Sequence, residues 1–297
     1  MRSFRLLLVP LVFLPLACES DLPPTEDPVQ QSIFTIGGLR PATLIRPTDY
    51  VVGTPIPVVI LLHGYNSHSG AINRYFGISR RVNDDQFVAI LPEGSKNPNG
   101  QRFWNATEYC CDFWNTEPDD VGYLNSLYQE AAAYVNTNGV YLLGHSNGGF
   151  MAYRMICESM PGLKGIVSLA GTTFYDPDRC EGATPVPVLH LHGTSDGTIW
   201  YGGGYRGSAT GNIHYPGAAQ TVERWAGRAG CDLDAAAELE SLELVLNIPE
   251  AETHPTRYTA GCGDGVALEL WTIEDGSHAP GFNADIGRRM MHWLFSN

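Results

Sequence analysis

Short runs of consecutive apolar residues recur along the chain, among them Val58–Leu62 (VVILL), Phe87–Leu91 (FVAIL), Gly139–Leu143 and Gly165–Leu169. Unbroken runs of this length suit strands buried on both faces, whereas strands with one wet face alternate apolar and polar residues. Stretches with helical spacing separate them, around Ala71–Asn83, Asp119–Val135, Asn147–Glu158, Ala218–Ala229 and Asp285–Phe295. Buried strands alternating with helices imply a mostly parallel sheet covered by helices on both faces. Further strands are expected at Ser32–Ile36, Ala42–Ile45, Val186–Leu191 and Leu268–Ile273, with Leu242–Leu246 and Thr256–Thr259 forming a hairpin excursion. Residues 93–118 read as a long Gly-, Pro-, Asn- and Trp-rich loop, and loops of this length usually carry function. The 297 residues would suit about two average domains, but one α/β domain over 31–297 is the economical reading.

The N-terminus reads as a targeting segment. Arg2 and Arg5 precede a twelve-residue apolar run, Leu6–Ala17, too short to span a bilayer as a helix and typical of a signal peptide over residues 1–17. The run ends Leu14-Pro15-Leu16-Ala17-Cys18, which resembles a bacterial lipobox and makes Cys18 a candidate lipid attachment point. Residues 18–30 are Pro-rich and acidic, a linker to the domain. No later stretch is long and apolar enough for a membrane span. The formal charge of −14 argues against nucleic acid as a partner, since phosphate recognition needs clustered Lys and Arg. The expected protein is an exported monomer, secreted or held at the cell envelope. Beyond Cys18, six cysteines in an exported chain imply three disulfides, although fifteen pairings are open.

The chemistry centres on Gly144-His145-Ser146-Asn147-Gly148, which matches G-x-S-x-G with a strand before it and a helix after it. Glycines relieve crowding in so tight a turn, which lifts the Ser146 hydroxyl above the C-terminal edge of the sheet. A serine hydroxyl is a weak nucleophile until a base takes its proton, and in this arrangement the chain order is Ser, acid, His. Of the histidines after Ser146, His278 lies in a turn after the last strand, in Asp275-Gly276-Ser277-His278-Ala279-Pro280-Gly281. His190 and His192 sit at a strand end and read as buried structural residues; His292 belongs to the terminal helix. Asp196 follows the strand ending at Leu191 and is the candidate acid, with Asp176 and Asp178 as competitors one strand earlier. Oxyanion donors are expected from the backbone N–H groups of Asn147 and of Tyr65, in the loop His63-Gly64-Tyr65 after Val58–Leu62. His63 reads as a loop-locking residue. Trp200 and Tyr201, just after Asp196, with Trp104, Trp114 and Phe282, are candidate substrate-binding aromatics. This chemistry requires no metal or organic cofactor.

The segments LLHGYN, GHSNGGFMAYRMICE, VPVLHLHGTSDGTI and IEDGSHAPGF resemble the polyhydroxybutyrate depolymerase and feruloyl-esterase-like branch of the α/β-hydrolases over roughly residues 33–296. The resemblance implies the α/β-hydrolase fold and hydrolysis of a polyester oligomer or a plant cell-wall feruloyl or acyl ester, with Ser146, Asp196 and His278 as the triad. Relatives carry a Cys pair around a late insertion like Cys231 and Cys262, and a Trp-Asn-Ala…Cys-Cys stretch like Trp104-Asn105-Ala106…Cys110-Cys111. The expected pairing is therefore Cys231–Cys262, with Cys157–Cys180 and a vicinal Cys110–Cys111 bridge completing the set. Around the histidine the chain departs from the family's Gly-His-Thr-Trp-Pro-Gly, which bears on the acyl pocket rather than on the chemistry. Two rival readings are a serine peptidase using the same triad and a catalytically silent lipoprotein binding glycans through its aromatics. Turnover of an ester against an amide separates the first, and labelling by a fluorophosphonate separates the second.

Overall fold

The structure, a computed structural model, describes residues 32–208 and 211–297; the signal segment 1–17, Cys18 and the linker 18–30 lie outside the described residues. Fourteen strands are described: β1 (Ile33–Ile36), β2 (Ala42–Ile45), β3 (Pro55–Leu62), β4 (Val88–Leu91), β5 (Ser95–Lys96), β6 (Arg102–Phe103), β7 (Asn136–His145), β8 (Leu163–Leu169), β9 (Val188–Gly193), β10 (Gly203–Ser208), β11 (Gly211–Pro216), β12 (Ala237–Glu238), β13 (Thr253–Tyr258) and β14 (Leu268–Ile273). The helices are α1 (Ser69–Phe76), α2 (Val82–Asp85), α3 (Asp120–Ala131), α4 (Asn147–Cys157), α5 (Ala218–Arg228) and α6 (Ile286–Ser296).

Ten strands form one sheet in the order β1-β2-β4-β3-β7-β8-β9-β14-β13-β12. The six from β4 to β14 are parallel, and antiparallel strands flank them on each side. The continuous apolar runs have the cause inferred for them. On β3, Val58, Ile60 and Leu62 face a core closed by residues of α3, α4 and α5, while Val59 and Leu61 face a second core closed by α1 and α6. Both faces are dry, so neither register position tolerates a polar side chain. Asp119 caps α3 by accepting from Gly122 N at 2.7 Å. Disulfides join Cys157 to Cys180, Cys231 to Cys262 and Cys110 to Cys111, the expected set, of which the resemblance implied the Cys231–Cys262 pair. Among the described residues no helix is long and apolar enough to cross a membrane.

Three local readings are corrected. The helix expected over 71–83 is interrupted at Gly77, whose φ of 69° ends α1 and starts a short 3-10 turn at Ile78–Arg81. The hairpin expected between 242–246 and 256–259 does not form. β13 pairs instead with β12 and β14, and the 242–246 segment makes only the isolated bridges Leu242↔Thr253 and Val245↔Phe282. Glu252 explains the difference, because its buried Oε1 accepts from Leu244 N, Val245 N and the Thr253 hydroxyl and so satisfies those amides without a ladder. A hairpin the sequence analysis lacks, β10–β11, stands apart from the main sheet.

Candidate active site

β7 leads directly through the Ser146 turn into α4, and the backbone of Ser146 is forced into φ 55°, ψ −121°. An L-residue adopts this conformation only when its surroundings fix it. Two hydrogen bonds do so: Ser146 N donates to Leu169 O at 2.8 Å, and Ser146 O accepts from Phe150 N at 3.0 Å. The flanking glycines are sterically required. A Cβ on Gly144 would lie 2.1 Å from Gly148 O, and one on Gly148 would lie 2.0 Å from Leu62 O.

Asp196 and His278 come together because β9 and β14 are parallel neighbours and both loops leave their C-terminal ends. The loops touch at Gly193, where a Cβ would meet Gly276 O at 2.1 Å. His278 Nδ1 donates to Asp196 Oδ2 at 2.7 Å, and Asp196 Oδ1 accepts from Thr198 N at 2.8 Å and Ile199 N at 2.9 Å. Asp196 is 4% exposed, whereas the competing Asp176 caps a surface turn by accepting from Asp178 N. Burial pushes the Asp196 carboxyl up, but hydrogen bonding from His192, His278 and Thr198 N overcomes it and holds the group well below the usual carboxylate range. A fixed anion at Nδ1 leaves His278 Nε2 as the free basic nitrogen. Ser146 Oγ makes no hydrogen bond among the described residues; contacts between nucleophile and base commonly tighten only with substrate bound.

His145, inside the G-x-S-x-G turn, ties the Ser146 turn to the His278 loop. Its Nε2 donates to His278 O at 2.9 Å, with the two rings 5.0 Å apart. Burial, reinforced by His278, pushes the His145 imidazole down to about 4, so it is neutral at physiological pH. The spacing of the motif alone gives no hint of this contact.

The oxyanion candidates sit as the strand order demands, since β3 and β7 are parallel neighbours. The Gly64 position lies 3.4 Å from Ser146 Cβ, measured from where a Cβ would stand. Neither Tyr65 N nor Asn147 N donates to a protein acceptor among the described residues. His63 locks the loop: its Nδ1 donates to Gly64 O at 2.8 Å and its Nε2 accepts from Gly94 N at 3.0 Å. The Asn147 side chain grips the backbone of Trp104, with Oδ1 accepting from Trp104 N at 2.7 Å and Nδ2 donating to Trp104 O at 2.8 Å.

The aromatic residues divide. Trp104 is fully buried, its Nε1 donating to His63 O at 2.9 Å, so it braces the His63-Gly64-Tyr65 loop instead of meeting a ligand; the cleft-lining role expected for it is corrected. Tyr201 is half-buried, with its hydroxyl on Thr272 Oγ1 at 2.7 Å and its ring edge on His192. Phe282 is half-buried against Tyr75 and Phe76, where Tyr75 also donates to Pro280 O at 2.8 Å. Trp114 and Trp200 are exposed, at 47% and 54%. A cavity of about 790 Å³ opens beside the 105–119 loop, walled by Glu108, Asp112, Phe113, Arg154, Arg179 and Arg206 among others; Ser146, Asp196 and His278 are not among its lining residues. Among the described residues no group of three or more His, Cys, Asp or Glu side chains is arranged to hold a metal ion.

A parallel sheet with a serine elbow and an Asp–His pair at its C-terminal edge defines the α/β-hydrolase fold. The solved acetyl xylan esterase from Aspergillus awamori superposes with a TM-score of 0.61 at 14% identity, covering 90% of this chain and all of that one. A thermostable esterase superposes with a TM-score of 0.55 at 14% identity, covering 89% of this chain and 62% of that one. In sequence, the chain is 29% identical to feruloyl esterase B of Piromyces equi over 210 residues, 67% of this chain and 35% of that protein. It is 22% identical to feruloyl esterase D of Neurospora crassa over 177 residues, 55% of each. The chain thus spans from about a third to just over half the length of these relatives. No family model matches it. The chain has the α/β-hydrolase fold and resembles the feruloyl-esterase-like branch of that superfamily.

Proposed function

We propose that the chain is a carboxylic ester hydrolase working through a Ser146–His278–Asp196 acyl-enzyme mechanism. The observation that carries the reading is the 2.7 Å bond from His278 Nδ1 to Asp196 on the loop beside a strained, glycine-flanked Ser146. His278 Nε2 takes the Ser146 proton as Oγ attacks the ester carbonyl, and the N–H groups of Tyr65 and Asn147 receive the oxyanion. His278 then gives its proton to the leaving alcohol, and water repeats the cycle on the acyl-enzyme. Asp196 holds the imidazole in the tautomer that leaves Nε2 basic and stabilises its cation.

The names of the relatives support plant cell-wall esters, feruloyl or acetyl, as the substrate class, ahead of polyester oligomers. Of the candidate aromatics, Trp114 and Trp200 are exposed and offer a flat face to a substrate ring, as do Phe113, Tyr175 and Tyr205. Three disulfides support export from the cytosol, in keeping with a signal segment over 1–17 and lipidation at Cys18. The test is Ser146→Ala assayed on p-nitrophenyl butyrate, methyl ferulate and acetylated xylan. Ester turnover is lost by at least about 10³-fold with an unchanged melt; full turnover by this variant sinks the reading.

A further inference from the structure

Three buried polar side chains form a line that ends beside Asp196 and that the mechanism above does not use. Tyr153 on α4 and His190 and His192 on β9 each have essentially no exposed surface. Tyr153 Oη lies 2.9 Å from His190 Nδ1, His190 Nε2 lies 3.2 Å from His192 Nδ1, and His192 Nε2 lies 2.7 Å from Ile199 O. The same His192 Nε2 is 3.4 Å from Asp196 Oδ2, the oxygen that accepts from His278.

The far end of this line decides its direction. A carbonyl oxygen and a carboxylate oxygen can only accept, so His192 Nε2 carries the proton. Burial, and next the neighbouring His192, push His190 far below the ordinary histidine range, so it is neutral with one N–H. A proton on His192 Nδ1 would force the His190 proton onto Nδ1 and leave the buried Tyr153 hydroxyl without an acceptor among the described residues, so His192 Nδ1 accepts, His190 carries its proton on Nε2, and His190 Nδ1 accepts from Tyr153. Burial drives the Tyr153 phenol well above its ordinary range, so its proton is always available. Every donor along the line points toward the acid.

The line ends on a pivot. Ile199 gives its C=O to His192 and its N–H to Asp196 Oδ1, so fixing Ile199 fixes both the turn that carries the acid and one of its carboxylate oxygens. We infer that Tyr153, His190 and His192 are positioning residues: a one-way hydrogen-bond chain that sets the orientation of Asp196 and, through it, the His278 tautomer. The inference rests on Asp196 being the triad acid.

Two measurements test it. The first is long-range ¹H–¹⁵N NMR of the imidazole nitrogens in the wild-type chain. Both His190 and His192 are expected to carry the proton on Nε2, with Nδ1 as acceptor, at the pH of the activity assay. An Nδ1–H tautomer at either position overturns the chain. The second is Tyr153→Phe, which keeps the ring and removes the donor, assayed beside His192→Phe. The expected result is a fall in kcat of about 3- to 10-fold for Tyr153→Phe and at least about 30-fold for His192→Phe, with KM for p-nitrophenyl butyrate unchanged. Wild-type kcat in a folded Tyr153→Phe chain, or equal loss in kcat/KM arising from KM alone, overturns the inference. If His192→Phe does not fold, the tautomers and Tyr153→Phe still decide. Failure of the triad reading is distinguishable, because there Ser146→Ala retains turnover whatever the imidazole tautomers are.

Discussion

Replacing Asp196 by Asn changes one oxygen to an amide nitrogen, and the surroundings dictate which way the amide turns. Oδ1 of Asp196 accepts from Thr198 N and Ile199 N, two donors that an NH₂ group cannot satisfy. The Asn therefore keeps its oxygen on those amides and turns its NH₂ toward His278 Nδ1. That nitrogen becomes an acceptor, the imidazole proton moves to Nε2, and the base that should take the Ser146 proton no longer exists. The opposite orientation leaves the buried Ile199 N–H and the partly exposed Thr198 N–H without acceptors, at about 1–3 and 0.5–1.5 kcal/mol respectively. The competent form is thus about 1.5–4.5 kcal/mol uphill, a population deficit of about 10- to 10³-fold. Loss of the anion that stabilises the imidazolium adds to this, so kcat should fall by at least about 10²-fold with KM little changed. The assay is steady-state hydrolysis of p-nitrophenyl butyrate with a thermal melt run in parallel. A folded Asp196→Asn enzyme within about fivefold of wild-type kcat, less than about 1 kcal/mol of barrier, refutes the reasoning.

Two further outcomes follow from the same contacts. Because the folded chain holds His145 at about 4, its unfolded form, near about 6.5, binds more protons throughout that interval. This contribution to stability is complete above about pH 6.5 and is lost as the pH falls toward 4, by up to roughly 3 kcal/mol, so urea midpoints should drop over that range and drop less in a His145→Asn chain. Asn147→Ala keeps the backbone N–H but deletes both side-chain bonds to Trp104, leaving a buried N–H and C=O unpaired; urea denaturation should register a loss of about 2–4 kcal/mol.

What the sequence makes legible is what local chemistry decides. The serine elbow is read from a glycine pattern because the clashes that require the glycines, Gly144 with Gly148 and Gly148 with Leu62, arise from the turn itself and the adjacent strand. The parallel sheet is legible because Val58–Leu62 of β3 and the whole of its neighbour β4 are apolar at every position. Asp196 and His278 are found by their place after strands, although only the β9–β14 pairing brings them together across 82 residues. Contacts set by distant partners are not legible. Trp104 reads as a cleft aromatic until the Asn147 side chain, 43 residues away, is seen holding its backbone in the core. His145 looks like a variable position within its motif, yet it bonds to His278 O from 133 residues away. His190 and His192 are correctly read as buried, but burial alone does not reveal the direction of their hydrogen bonds. The β10–β11 hairpin escapes because glycines at 203, 204, 207 and 211 erase the alternation that marks a strand.

The central claim is that one serine among many is chemically activated, and a covalent label reads this directly. After brief exposure of the folded protein to a fluorophosphonate, peptide mass spectrometry should place a single stoichiometric adduct on Ser146. The adduct should be absent when His278 is replaced by Ala in a protein that still melts like wild type. An unlabelled Ser146, or labelling that survives loss of His278 undiminished, contradicts the account.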